Sequence, residues 1–363
     1  MRVLHLAKYY WPRSGGVERV VKNLAEGTAA LGHEAEVLAV ETRWQWGVGK
    51  RGKQSKRQRT NVTKAFSFGS LGLQELAPGY LTGTWKRADV IHVHHPHSLA
   101  DVVSLLRLSR APIVVTQHST DPRTSRRWLA QRALARSAAI VVPSRAHVAL
   151  CSELEGFESK IELIPFGINE SRWMDLPEAP GGRPARALFI GRLEKYKGVD
   201  VLLRALSRTE DIDLDVVGHG PEAPRLKTLA KALELGHRVR WFGEYPDEDL
   251  PLRMGEADFV VLPSVTISEM FGLVPIEAMA AGRPVITTDL PSGVKDVNVA
   301  GETGFVVPLR SVDSLADAMT TLAGDPAVAR RMGEAGRRRV MERFTRGMMT
   351  ERHVELYEKL LSA

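Results

Sequence analysis

The stretch Ser268-Glu269-Met270-Phe271-Gly272-Leu273-Val274-Pro275-Ile276-Glu277-Ala278-Met279-Ala280-Ala281-Gly282 decides how the chain reads. Two glutamates stand eight positions apart, with an apolar helix opening between them. The apolar run Phe259–Leu262 leads in through Pro263-Ser264, and Pro284–Thr287 follows Gly282. Strand, loop, helix and strand in that order form a βαβ unit. Its loop lies at the carboxyl end of a parallel sheet, where open α/β sheets bind ligands. Glu269 falls in that loop and Glu277 inside the helix. The N–H groups of Phe271, Gly272 and Leu273 precede any intrahelical acceptor, which makes them candidates for meeting an anionic ligand.

The same alternation runs upstream. Ala187–Ile190 reads as a strand, and Gly191-Arg192-Leu193-Glu194-Lys195-Tyr196-Lys197-Gly198 separates it from a helix opening near Val199. Arg192 and Lys197 flank that loop. Two cations there suit a diphosphate, one as a planar fork and one as a point charge; a solvated loop is the alternative. Leu214–Val217 runs into the turn Gly218-His219-Gly220-Pro221. Asp211, Asp213 and Asp215 alternate with Ile212 and Leu214, the pattern of a solvated strand edge rather than a metal-binding pair. Arg238–Phe242 and Phe305–Val307 complete the strands, and Met348–Leu361 is a last amphipathic helix with no strand after it.

The first half repeats the logic. Arg2–Ala7, the turn Ser14-Gly15-Gly16, a helix over Val17–Leu31 and a strand over Glu36–Val40 open a doubly wound domain. No G-x-G-x-x-G is present, so the turn is not a dinucleotide fingerprint. Gly15 and Gly16 allow either a plain tight turn or close approach of the backbone to a ligand. Asp89–Val93, Pro112–Thr116, Ala138–Val142 and Ile161–Ile164 follow as short apolar strands. His92 sits within such a run and reads as core. His94, His95 and His97 lack the cysteine or carboxylate cluster that would complete a metal site, and no metal is expected. His118 directly follows a strand and is the histidine best placed to reach a cleft. Glu170–Arg186, with Pro177, Pro180, Gly181, Gly182 and Pro184, has the composition of a linker.

At 363 residues the chain suits two domains of ~100–200 residues each. The single cysteine, Cys151, excludes an internal disulfide framework, fits a reducing compartment and reads as a small buried hydrophobe. Lys8, Tyr9 and Tyr10 interrupt the run Val3–Ala7, so a secretory signal is not expected. No apolar run is long enough to span a bilayer. The net charge of +7 is uneven: residues 1–180 carry 25 Lys/Arg against 16 Asp/Glu, while residues 181–363 carry 25 against 27. The excess gathers in Lys50–Arg59, just after Trp44 and Trp46. That run is either a solvated loop or a dock for anionic lipid. Nucleic acid is not expected as a partner, because no recognition helix or RNA-binding signature accompanies the charge.

Taken together, the motifs resemble the retaining glycosyltransferases of family 4 (glycosyl transferases group 1). The matching residues are Gly191-Arg192-Leu193 with Lys197-Gly198, Gly218-His219-Gly220-Pro221, Leu262-Pro263-Ser264, the Glu269–Glu277 pair and Glu302-Thr303-Gly304-Phe305. In the first half they are Gly15-Gly16, His118 and Ile164-Pro165-Phe166-Gly167. The resemblance implies an α/β chain of GT-B fold, two Rossmann-like domains with parallel sheets facing across a cleft. It implies an acceptor-binding domain over 1–170, a nucleotide-sugar-binding domain over 171–343 and a C-terminal helix over 344–363 packing back on the first.

The resemblance also implies site roles. Arg192 and Lys197 would bind the donor diphosphate, Glu269 the transferred sugar, and Glu277 the ribose hydroxyls. The backbone at Phe271, Gly272 and Leu273 would meet sugar or phosphate. Gly15 and Gly16 would border the diphosphate, and His118 would lie beside the reacting sugar. His118, Glu269, Arg192 and Lys197 are the expected catalytic set, with no metal or other cofactor, since the cations replace a divalent ion. Met270 would reshape the sugar pocket.

The donor would be a nucleotide-sugar, with a lean to GDP-mannose, and the acceptor a glycolipid or polysaccharide precursor. The expected location is cytoplasmic, with peripheral attachment to the inner face of a membrane through Lys50–Arg59. The alternatives are a UDP-sugar-dependent transferase acting on a small molecule, a GT-B phosphorylase or epimerase, and a non-catalytic nucleotide-sugar-binding module.

Overall fold

A computed structural model describes the chain except for residues 12–14, 42–59, 67–69, 72–73, 76, 78–79, 81–83, 107–108, 121–123 and 180. The basic run Lys50–Arg59, with Trp44 and Trp46, and Ser14 of the first turn lie outside the described residues. The chain divides into two compact units. One comprises Met1–Gly167 with Arg346–Ala363, the other Ile168–Thr345.

The first unit holds β1 (Arg2–Ala7), β2 (Glu34–Glu41), β3 (Thr60–Phe66), a small antiparallel ribbon of β4 (Ser70–Leu71) and β5 (Gln74–Glu75), then β6 (Val90–His95), β7 (Ile113–Gln117), β8 (Ala139–Val142) and β9 (Ile161–Leu163). Its main sheet is parallel throughout, in the order β3-β2-β1-β6-β7-β8-β9. Strand order reverses between β1 and β6. The sequence is no guide to β3, whose Thr60-Asn61-Val62-Thr63 start is polar at three of four positions; it sits at the sheet edge and, among the described residues, pairs with β2 alone. The helix Gly16–Ala30 packs on β2 and on the C-terminal helix Arg346–Ser362.

The second unit holds β10 (Ala185–Ile190), β11 (Ile212–Val217), β12 (Val239–Gly243), β13 (Phe259–Leu262), β14 (Val285–Thr288) and β15 (Gly304–Val307). Its sheet is also parallel, in the order β12-β11-β10-β13-β14-β15, and the order reverses between β10 and β13. Helices cover both faces, so inner strands such as Phe259-Val260-Val261-Leu262 are buried at every position. Phe189, Leu214, Val216, Phe259, Val261 and Ile286 form the spine of its core. Asp215 departs from the solvated edge expected of it. It is fully buried, and Arg240 grips its carboxylate with two nitrogens at 2.7 and 2.6 Å, so the charge is carried inward as an ion pair.

No helix among the described residues is long and apolar enough to cross a membrane. Cys151 is buried, and burial, with the nearby Glu153, pushes its thiol up to about 12, which leaves it inert as a nucleophile.

Candidate active site

In the second unit, the loops after β10 and β13 flank the point where strand order reverses, the place where such sheets hold ligands. Backbone packing builds the first loop. Leu193 N–H donates to the His219 carbonyl at 2.8 Å, and Glu222 N–H donates to the Leu193 carbonyl at 3.0 Å, tying it to the turn after β11. Gly218 makes this possible: with φ at +135°, an added Cβ would lie 1.9 Å from the Gly191 carbonyl oxygen. Gly198 does the same between the β10 and β13 loops, where a Cβ would stand 2.1 Å from the Pro263 carbonyl oxygen. Gly198 and Gly218 of the sequence motifs are therefore sites of backbone contact.

That contact brings two sequence-predicted residues together. Lys197, in the 3-10 turn Lys195–Lys197, donates to Glu269 Oε2 at 2.5 Å, and Ser264 Oγ donates to the same oxygen at 3.0 Å. Both charged side chains are nearly buried, at 11% and 12% exposure. Burial alone would lower the Lys197 pKa. The Glu269 carboxylate, with Tyr196 and the hydrogen bond, outweighs it and holds the ammonium above its ordinary value, while Arg192 opposes. Lys197 therefore stays charged, and the solvated-loop reading fails for it. Arg192 is exposed at the mouth of the same loop, 4.0 Å from Glu194.

Gly272, at φ +84°, turns the chain into the helix Leu273–Ala280. Met270 and Phe271 are buried before it, the latter edge-on to Phe344 with ring centres 6.1 Å apart. Glu277 is buried in the body of the helix. The Glu302-Thr303-Gly304-Phe305 motif is scaffolding. The Thr303 hydroxyl donates to Asn298 Oδ1 at 2.8 Å, and Asn298 Nδ2 donates to Thr287 Oγ1 at 2.9 Å, fastening β15 to β14.

In the first unit, Gly15 is the extended cap and Gly16 the first residue of the helix after β1. His118 follows β7 and is 5% exposed, its ring stacked on Phe166 at 4.9 Å and 24°. Phe166 belongs to the Ile164–Gly167 motif, which gives that motif a task. Behind His118 lies a group of imidazoles that sequence reading left scattered. Register sets His5 of β1 beside His92 of β6, and His94 beside Thr116 of β7. Alternation along the strands puts all of them on one face. The C-terminal helix adds His353 and Tyr357. His5, His92 and His94 bring ring nitrogens within 4.8 Å of one another, a spacing found in metal sets. Both nitrogens of His92 are taken, one by Tyr357 OH and one by Thr116 Oγ1, each at 2.6 Å. His95 pairs with Asp101, and His97 Nε2 lies 2.9 Å from Tyr80 OH.

The family model for glycosyl transferases group 1 matches residues 177–339, and that for Glycosyltransferase Family 4 matches residues 14–172. An O-antigen chain mannosyltransferase of Escherichia coli is 30% identical over 100% of both chains. The chain belongs to family 4 of the glycosyltransferases. A D-rhamnosyltransferase of Pseudomonas aeruginosa is also 30% identical to this glycosyltransferase, over 95% of this chain and 92% of the other. The solved structure of Anabaena HepE in complex with UDP-glucose superposes with a TM-score of 0.82 at 20% identity, over 99% of this chain and 100% of that one. The glycosyltransferase thus has the GT-B fold, with two α/β units built on parallel sheets, and it is a hexosyltransferase.

Proposed function

We propose that this glycosyltransferase moves mannose from GDP-mannose, with retention at the anomeric carbon, to a glycolipid or polysaccharide-precursor acceptor. The observation that carries the chemistry is the buried Lys197–Glu269 pair at the reversal point of the second sheet. Breaking the bond between an anomeric carbon and phosphate leaves negative charge on the diphosphate and positive charge on the sugar. Lys197 has three N–H donors, and Glu269 takes one; the others, with Arg192 and the start of helix Leu273–Ala280, are assigned to the leaving diphosphate. Glu269 is assigned to the sugar and Glu277 to the ribose. The 30% identical O-antigen chain mannosyltransferase supports the choice of sugar and acceptor class. The roles expected of Gly15, Gly16 and His118 are part of the same proposal, as are metal independence and peripheral membrane attachment in the cytoplasm.

The test is a panel of labelled nucleotide-sugars offered with lipid-linked and oligosaccharide acceptors, in the presence of a chelator. Transfer from GDP-mannose, undiminished by chelator and giving the α-anomer, is expected. Transfer from a UDP-sugar alone would replace the donor. Phosphate-dependent cleavage, interconversion without acceptor, or binding without turnover would replace the reaction class.

A further inference from the structure

The buried imidazoles of the first unit form a chain, not just a cluster. His5 Nδ1 lies 3.2 Å from His94 Nε2, and His94 Nδ1 lies 3.0 Å from His118 Nε2. A nitrogen-to-nitrogen hydrogen bond needs one proton, and a neutral imidazole carries one N–H and one lone pair. Two assignments satisfy both bonds. In one, His118 Nε2–H donates to His94, His94 Nε2–H donates to His5, and His5 is left with an N–H on Nε2. In the other every proton is shifted: His5 Nδ1–H donates to His94, His94 Nδ1–H donates to His118, and His118 carries its proton on Nδ1.

His5 Nε2 decides between them. It is buried and has no hydrogen-bond partner among the described residues. Orphaned buried N–H groups are rarer in folded proteins than buried acceptors that lack a donor. His353 offers no relief. Its Nδ1–H is committed to the Met349 carbonyl at 2.7 Å, and its bare Nε2 is also unpartnered, hence out of reach of His5 Nε2. We propose that the chain His5–His94–His118 is a tautomer lock that fixes the His118 proton on Nδ1, which makes His94 a positioning residue for His118.

The other contacts suit this role. Stacking on Phe166 fixes the plane of the His118 ring, and His92, pinned at both nitrogens, stacks on His94 at 4.4 Å. Burial, with repulsion from neighbouring imidazoles, brings His118 down to about 3, so the ring is neutral near pH 7. A neutral His118 with its proton on Nδ1 and its lone pair occupied by His94 can only donate. It would hold a sugar oxygen; it would not take a proton from the acceptor hydroxyl. That consequence rests on the role proposed above for His118, whereas the lock itself does not.

Long-range proton–nitrogen NMR correlation on histidine-labelled full-length protein reads the tautomer directly, with His118→Asn assigning the signal. The Nδ1–H form is expected in the unsubstituted protein. His94→Leu should release His118 toward the Nε2–H form and lower kcat roughly 10–100-fold, by analogy with the loss of the orienting partner of a metal-bound histidine, with KM for the donor little changed. His94→Asn, whose amide N–H can replace the donated bond, should restore both. An Nε2–H tautomer in the unsubstituted protein would overturn the lock, as would an unchanged tautomer in a folded His94→Leu variant. The first of these measurements needs no substrate, and a substitution only to assign the signal. The expected tautomer without transferase activity would sink the proposed function and leave the lock standing; transfer with the opposite tautomer would do the reverse.

Discussion

The carboxyl end of β7 and the carboxyl ends of β10 and β13 make an instructive pair. Both belong to all-parallel sheets covered by helices, and both carry polar residues expected to act in catalysis. In the first unit that residue is His118, an imidazole so deeply buried that it stays neutral. In the second they are an ammonium and a carboxylate at 2.5 Å, nearly buried where Gly198 lets the backbones of two loops meet. One fold thus supports two electrostatic regimes, and the regime follows from what sits opposite each group. Lys197 keeps its charge in a buried setting because Glu269 faces it. His118 loses its charge because burial disfavours it, and the neighbouring histidines add to that effect.

The largest effect that separates the two is acid sensitivity. Burial first, and then repulsion among neighbouring cations or imidazoles, brings His5, His97 and His118 down to about 3 and His92 and His94 well below their ordinary value; burial also takes His147 and His353 to about 4. Each such group contributes stability that is fully present above its unfolded value of ~6.5 and is lost as pH falls toward the folded value. The slope is about 1.4 kcal/mol per pH unit for each group, so several together offset a net stability of about 5–15 kcal/mol within about two pH units. His95 acts in the opposite sense. Burial lowers its pKa, but the Asp101 carboxylate outweighs burial and raises it, so its contribution is present in acid and lost as pH rises. Hydrogen exchange followed by mass spectrometry should show β1, β6 and β7 losing protection between pH 7 and pH 5 while β10 and β13 keep theirs. Equal loss in both units would break the comparison.

How much of this was legible in the sequence differs between the two ends. The alternation of strand, loop and helix was legible because parallel strands buried on both faces read as unbroken apolar runs. The edge strand Thr60–Phe66 was not, since an edge tolerates polar residues. Lys197 and Glu269 each stood out in a strand-to-helix loop, yet their contact spans 72 residues and depends on which strands are neighbours. The imidazole chain was hidden further. His92 read correctly as core, but His5 lies in a different strand, and His353 is in a helix that returns to the first unit from the far end of the chain. Only register and topology join them. Asp215 shows the limit of pattern alone: alternation placed it on an edge, and a single arginine on β12 allowed it inside.

The second effect is catalytic and belongs to the charged end. Lys197→Ala removes the ammonium from the leaving diphosphate and strands Glu269 in a nearly buried site. Loss of one donor of this kind costs about 2.7–4 kcal/mol in the transition state, or ~10²–10³ in kcat. Arg192→Ala should cost less, because Arg192 is exposed and water screens what it contributes. Donor hydrolysis, with the donor identified by the panel, gives both values. Near-normal kcat in Lys197→Ala would remove the buried ion pair from the chemistry and leave it as scaffolding, like Thr303.

The smallest effect separates backbone contact from side-chain chemistry within the second unit. Gly218→Ala would put a methyl group 1.9 Å from the Gly191 carbonyl oxygen at a φ of +135°, and Gly198→Ala would put one 2.1 Å from the Pro263 carbonyl oxygen. Neither glycine offers a functional group, so any change must come through the loops they hold together. Strain at such a φ alone costs about 1–3 kcal/mol, to which the overlap with a backbone oxygen adds, and about 2–4 °C in Tm accompanies each kcal/mol in a unit of this size. Thermal melts followed by calorimetry should show the second transition lowered and the first unmoved. Gly198 joins the Lys197 loop to the Glu269 loop, whereas Gly218 joins the Lys197 loop to the turn after β11. Gly198→Ala should therefore reduce turnover beyond what its Tm loss accounts for, and Gly218→Ala should not. If the two variants lose activity alike, the spacing between Lys197 and Glu269 is not what Gly198 protects, and the ion pair sets its own geometry.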